Sequence, residues 1–170
     1  DAYSDGKSEE LLGEVLVGRR NRVLLSTKAT YRVGPGENDL GSSRLHLVAA
    51  CEASLKRLRT DWIDFYQLHA PDPYTRPEET MRAMDDLVRS GKVRYIGCSN
   101  YSGSQVVRAQ WAADSLRLQP FTFQQILYSL LNREAEFIAK YRKTWESARY
   151  PPTFVTVDAV VIQAGHILMV

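Results

Sequence analysis

Short strand-like runs and helical stretches alternate along this chain, and that rhythm limits the folds open to it. The runs 22–27, 62–68, 92–97 and 121–126 are rich in β-branched and aromatic residues. Between them the apolar residues recur at helical spacing. A helix is expected from Ser8 as N-cap, with Leu11, Leu12, Val15 and Leu16 on one face. A second spans 44–58 behind Ser43, with Leu45, Val48, Ala49, Glu52 and Leu55 setting its period. Pro77 suits the first turn of a third over 77–90, and Gly91 suits its end. A fourth over 104–116 starts from Ser102 or Ser104, and a fifth covers 134–147. Residues 34–43 are turn-rich and read as a loop. Strand–helix alternation of this kind builds right-handed βαβ units around a parallel sheet. An open doubly wound sheet and part of a (β/α)₈ barrel both fit, and periodicity does not choose between them.

After this the rhythm breaks. Tyr150-Pro-Pro interrupts it. Residues 153–162 alternate and are β-branched, 163–166 make a turn, and 167–170 start another strand. The expectation here is a short antiparallel β-hairpin over 151–170, with 135–150 as helix and linker.

Composition narrows the function classes. With 22 Lys+Arg against 20 Asp+Glu the formal charge is +2, too balanced to argue for nucleic acid or a membrane surface. No apolar stretch reaches the ~18 residues of a membrane span. Cys51 and Cys98 form no metal-ligand pattern, and no metal site is expected. They read as buried free thiols of a reducing compartment, which places the chain in the cytoplasm.

Three polar side chains stand out at or near strand ends. Lys28 closes the run that begins at 22, His69 closes the run that begins at 62, and Tyr3 lies close to the first residue. Parallel α/β folds set their sites at the carboxyl ends of strands. A Tyr beside an ammonium can give up its proton more easily than a free phenol, and a neutral His can orient a carbonyl oxygen. Such a trio would polarise a carbonyl group for reduction.

The surrounding residues resemble the aldo-keto reductases. Asp1-Ala-Tyr-Ser-Asp-Gly-Lys-Ser-Glu-Glu-Leu-Leu-Gly is similar to an early signature of that family, and Val-Leu-Leu-Ser-Thr-Lys28 to its lysine strand. The run from Asp61 to Asp72 is similar to its histidine strand. Gly91-Lys-Val-Arg-Tyr-Ile-Gly-Cys-Ser-Asn100 and Gln125-Ile-Leu-Tyr-Ser-Leu-Leu-Asn-Arg133 match the next two strands. The resemblance covers about residues 1–134 and implies the central units of a (β/α)₈ barrel that reduces aldehydes or ketones with NADPH. It implies that Tyr3 donates the proton, that Lys28 lowers the Tyr3 pKa, and that His69 orients the carbonyl. It further implies that Ser99, Asn100 and Gln125 hold the nicotinamide carboxamide.

Departures accompany the likeness. The family's catalytic aspartate lies five residues ahead of its tyrosine, a position before residue 1, and Asp1 is not its equivalent. The first strand, the last two βα units and their phosphate-binding loops find no counterpart in the sequence. An impaired reductase of an incomplete barrel is therefore expected, acting on a small carbonyl compound. The alternatives are a non-catalytic relative that binds NADP(H) or a protein partner, and an inactive fused fragment. Residues 137–170 are similar to the linker and first hairpin of bifunctional nicotinamide-mononucleotide adenylyltransferase–Nudix proteins. The glutamate-bearing Nudix box is not among them, so no pyrophosphatase activity is implied. Asp158 and His166 read as a strand-face residue and a turn neighbour rather than ligands.

Overall fold

A computed structural model describes residues 1–126, 154–157 and 167–169. Four parallel strands carry it: β1 (Leu24–Ala29), β2 (Ile63–Leu68), β3 (Val93–Ser99) and β4 (Phe123–Ile126). They lie side by side in chain order, with every pairing parallel. Four helices accompany them: α1 (Lys7–Val15), α2 (Arg44–Leu58), α3 (Pro77–Arg89) and α4 (Gly103–Leu116). This is the α/β arrangement of half a (β/α)₈ barrel.

The local chemistry explains the boundaries. Ser43 accepts a hydrogen bond from the His46 amide and caps α2. Ser102, not Ser104, caps α4, and Gln105 completes a capping box. Pro77 occupies the first turn of α3, and Gly91 takes a left-handed φ of 77° just past its end. At α1 the expected cap fails. The helix begins at Lys7, behind Gly6 at φ 86°, and Ser8 lies inside it. A glycine can turn the chain into a helix with a backbone conformation that Ser8 would have to strain to reach.

Strand register sorts the side chains onto two faces. One face carries Ser26 and Lys28 of β1, Phe65 and Gln67 of β2, Tyr95, Gly97 and Ser99 of β3, and Phe123 and Gln125 of β4. Phe65 stacks on Tyr95 with ring centroids 5.6 Å apart and meets Phe123 edge-on at 5.3 Å. A Cβ at Gly97 would come within 2.6 Å of the Phe123 ring, so only glycine lets these strands keep that ring. The opposite face presents Leu25, Ala29, Tyr66, Leu68, Ile96 and Cys98 to the helices, all buried. Leu47, Leu58, Met81 and Met84 meet them from α2 and α3. Each such fully buried side chain contributes about 1.5–3 kcal/mol. Both cysteines are free and buried, as expected, and burial pushes the Cys51 thiol up to about 12.

Where α1 crosses α2, a Cβ at Gly13 would sit 2.3 Å from the Arg57 carbonyl oxygen. Close approach therefore selects glycine inside that helix, despite its intrinsic cost. Beside the crossing, buried Glu9 accepts hydrogen bonds from Thr27 and, at 2.7 Å, from Arg57 Nε.

The tail departs from the expected antiparallel hairpin. β5 (Phe154–Val157) and β6 (Ile167–Met169) lie at opposite edges of the sheet, in the order β5-β4-β3-β2-β1-β6. Each is parallel to its neighbour, β5 to β4 and β6 to β1. The outer edges of β1 and β4 carry backbone donors and acceptors that the four-strand sheet leaves available, and β6 and β5 take them up. Alternation in the sequence marks a strand but does not name its partner. The expected helix over 134–147, Asp158 and His166 fall outside the described residues. Among the described residues no helix is long and apolar enough to cross a membrane.

Candidate active site

Lys28 projects from the sheet face opposite the helices, one residue before the end of β1. His69 follows the last residue of β2, and its amide donates to the Ala29 carbonyl at 2.8 Å. The two strand ends are thereby locked side by side. Tyr3 opens a short 3₁₀ turn, Tyr3–Gly6, whose Ser4 and Asp5 both take positive φ before Gly6 leads into α1. This turn sets the Tyr3 ring beside the strand ends.

The trio converges on one oxygen. The Lys28 ammonium donates to the Tyr3 hydroxyl at 3.3 Å and stands 5.2 Å from the centre of its ring. His69 Nε2 lies 3.3 Å from the same hydroxyl, and the two rings are tilted with centroids 5.4 Å apart. Lys28 is 3% exposed and His69 9%, while Tyr3 is 40% exposed. A cation and an imidazole, both buried, thus flank a phenol that solvent and solute can reach. An ammonium at this distance favours the charged form of an acidic neighbour.

The second set of expected residues gathers at the adjacent strand ends. Ser99 and Gln125 are register partners of β3 and β4, and both are buried. Asn100 takes a left-handed φ of 59°, which an asparagine tolerates better than most residues. Its amide nitrogen donates to the Gln125 carbonyl at 3.2 Å, and its side-chain Nδ2 donates to the His69 carbonyl at 2.9 Å. Asn100 therefore staples the two sets together, a part that spacing alone could not reveal. Side-chain amides and a hydroxyl at one strand-end cluster fit a carboxamide, which needs both donors and acceptors.

Below this layer Gln67 Nε2 donates to Ser26 Oγ at 2.8 Å and forms a polar floor under Lys28. Above it stands a residue that the sequence reading passed over. The Tyr31 ring lies 4.1 Å from the His69 ring, tilted by 33°. A loop aromatic carries no periodic signal, so only the structure could place it.

The loop that bears Tyr31 is tied down on several sides. Asp72 accepts from the Ser42 amide at 2.7 Å, the Thr75 hydroxyl at 2.6 Å and the Tyr74 amide at 2.8 Å. Burial alone would raise the Asp72 carboxyl, but these hydrogen bonds outweigh it and hold the group below its usual range. A cleft of about 570 Å³ opens beyond Asp72, lined in part by Tyr74, Arg76, Tyr101 and Arg108. It contains none of Tyr3, Lys28 and His69.

Residues 1–145 match the family described as the aldo/keto reductase family. The chain is 40% identical over 147 residues to a probable voltage-gated potassium channel subunit beta of Arabidopsis thaliana, covering 83% of this chain and 44% of that protein. It is 39% identical over 137 residues to the aldo-keto reductase YhdN of Bacillus subtilis, covering 79% of this chain and 40% of that protein. An aldo-keto reductase of Metarhizium robertsii is 38% identical over 162 residues, covering 80% of this chain and 44% of its own. The chain thus spans less than half the length of these relatives.

Proposed function

This chain belongs to the aldo/keto reductase family, and on that premise we propose that its strand-end site reduces the carbonyl group of a small aldehyde or ketone, with NADPH as reductant. The observation that carries this reading is the convergence of Lys28 Nζ and His69 Nε2 on the Tyr3 hydroxyl, each at 3.3 Å.

In this reading a carbonyl oxygen accepts hydrogen bonds from the Tyr3 hydroxyl and from His69. As negative charge grows on that oxygen, Tyr3 delivers its proton to it. Lys28 stabilises the phenolate left behind, and its burial strengthens that attraction by keeping water away. Asn100 holds the His69 backbone and so keeps the imidazole aimed at the oxygen. Ser99, Asn100 and Gln125 are the residues that would hold the cofactor's carboxamide. NADPH, when bound, supplies the hydride that the carbonyl carbon receives.

The matched region covers 40–44% of these relatives, so the activity of this polypeptide is measured on the 170 residues as they stand. The test is NADPH oxidation in the presence of benzaldehyde. An aldehyde-dependent rate is expected, falling at least tenfold in Tyr3→Phe. A rate that Tyr3→Phe leaves unchanged contradicts the reading.

A second reading rests on the relatives named as probable potassium channel β subunits. On it the chain is a non-catalytic relative that binds NADP(H) or a protein partner. Saturable NADPH binding without aldehyde-dependent turnover favours that reading. The likeness of residues 137–170 to adenylyltransferase–Nudix proteins stays a proposal that rests on the sequence of those residues, and it carries no pyrophosphatase activity.

A further inference from the structure

The cleft of about 570 Å³ beyond Asp72 lies on the helix side of the sheet, away from the face that carries Lys28. Its floor is apolar. Leu68 and Met81, both fully buried, line it together with Phe121. Tyr101 lines it too and meets Phe121 edge-on, with ring centroids 6.0 Å apart. The volume falls within the roughly 300–1,000 Å³ of small-molecule sites.

One wall is the segment 71–77, and it is stiff. Pro71, Pro73 and Pro77 each fix their own φ. Asp72 pins the segment through the Tyr74 amide and the Thr75 hydroxyl, and ties it to Ser42 through the Ser42 amide. From Ser42 the ties run on to the loop after β1. The Thr30 and Ser42 hydroxyls lie 3.2 Å apart, and the Gly41 amide donates to the Thr30 carbonyl at 2.8 Å. Thr30 itself is held at a φ of 111°, which β-branched residues rarely adopt. The opposite wall is α4, through Gln105, Arg108 and Ala109. A cleft fixed open in this way costs a ligand little reorganisation.

The rim is cationic. Arg76 and Arg108 both line the cleft, beside a Tyr74 that is 94% exposed. Arg108 makes no ion pair among the described residues. Arg76 Nε stands 3.6 Å from Glu78, a loose surface pair that leaves its terminal nitrogens available. Asp72 is the one carboxylate among the lining residues, and both its oxygens already accept hydrogen bonds from the wall.

We infer that this cleft is a binding site in its own right, for a small aryl carboxylate. The aromatic body fills the apolar floor and makes edge or offset contacts with Tyr101 and Phe121. The carboxylate stays at the rim, where the guanidiniums of Arg76 and Arg108 offer planar pairs of donors. Leu68 directly precedes His69 and Tyr101 directly follows Asn100, so the site backs onto the strand-end cluster without sharing a side chain with it.

Methyl NMR of the full chain tests this, with the Met81 methyl as reporter, assigned with Met81→Leu among the three methionines. Cinnamate and cinnamyl alcohol, which share a body and differ in charge, are titrated into wild type and into the Arg76→Gln/Arg108→Gln double variant. Cinnamate is expected to shift the Met81 signal saturably in wild type and to bind roughly fivefold tighter than the alcohol, the order of two exposed ion pairs. In the double variant the ratio is expected to fall to about one, with the alcohol bound as in wild type. No saturable shift of Met81 in wild type overturns the inference. So does equal binding of the two compounds in wild type, or a preference for cinnamate that survives in the double variant.

Discussion

The two ends of the sheet each carry a charged cluster, and they are built to opposite rules. At the amino end, Asp64 is fully buried and closely held. Arg20 Nη2 donates to it at 2.7 Å, the Leu25 amide at 2.9 Å, and Arg94 Nη1 lies 2.9 Å from its other oxygen. Both guanidiniums also flank Trp62, at 4.4 and 5.0 Å from its ring centre. At the carboxyl end the Lys28 and His69 contacts with Tyr3 are longer, 3.3 Å each, the phenol is open to solvent, and the backbone beside it is strained at Thr30. Short, multiply satisfied contacts mark the end that holds the fold. Longer contacts around a reachable proton mark the end to which the proposed chemistry is assigned, as the two ends of parallel α/β sheets generally divide.

The sharpest way to break this division is at the amino end. Asp64→Ala leaves two guanidiniums facing each other and the Leu25 amide without its acceptor. It should cost about 3 kcal/mol in urea unfolding. A cost below about 1 kcal/mol would mean that the cluster is not the anchor. Gly13→Ala, where α1 crosses α2, forces its Cβ against the Arg57 carbonyl and should cost about 1–3 kcal/mol by the same measurement.

Smaller effects sharpen the contrast at the rim. Ser102→Ala removes the α4 cap and should lower stability by about 1 kcal/mol. It should leave the His69 NMR signal in place, because the cap supports the rim and not the trio. Asp72 gives the pH dependence. Its carboxyl is held below its ordinary value of 3.8, so its stabilising hold on the Ser42 loop is present above that value and is lost as pH falls through the lower folded value. The stability gap between wild type and Asp72→Asn should be full at neutral pH and close in strong acid. A gap that stays constant down to pH ~2 would contradict this assignment.

Much of this was legible in the sequence, for physical reasons. Lys28 and His69 were visible because short β-type runs close on them, and parallel α/β folds place their sites at the carboxyl ends of strands. Ser43, Pro77 and Gly91 announced helix boundaries because each satisfies a terminus in a way that few residues can. Ser8 misled because Gly6 had already turned the chain. The tail misled because two β-branched runs with a turn between them suit a hairpin, while the open edges of β1 and β4 offer equally good ladders. Tyr31 and the strain at Thr30 left no trace, since neither belongs to a periodic element and both depend on a clamp built from Gly41, Ser42 and Asp72.

On the proposed function Lys28 is buried for chemistry, whereas Asp64 is buried for stability. Urea unfolding of Lys28→Met tests it most directly. A methionine fills similar volume without a charge to desolvate, so stability should stay within about 1 kcal/mol of wild type or rise. A loss of about 3 kcal/mol, matching Asp64→Ala, would show that the lysine is structural and would contradict the division between the two ends.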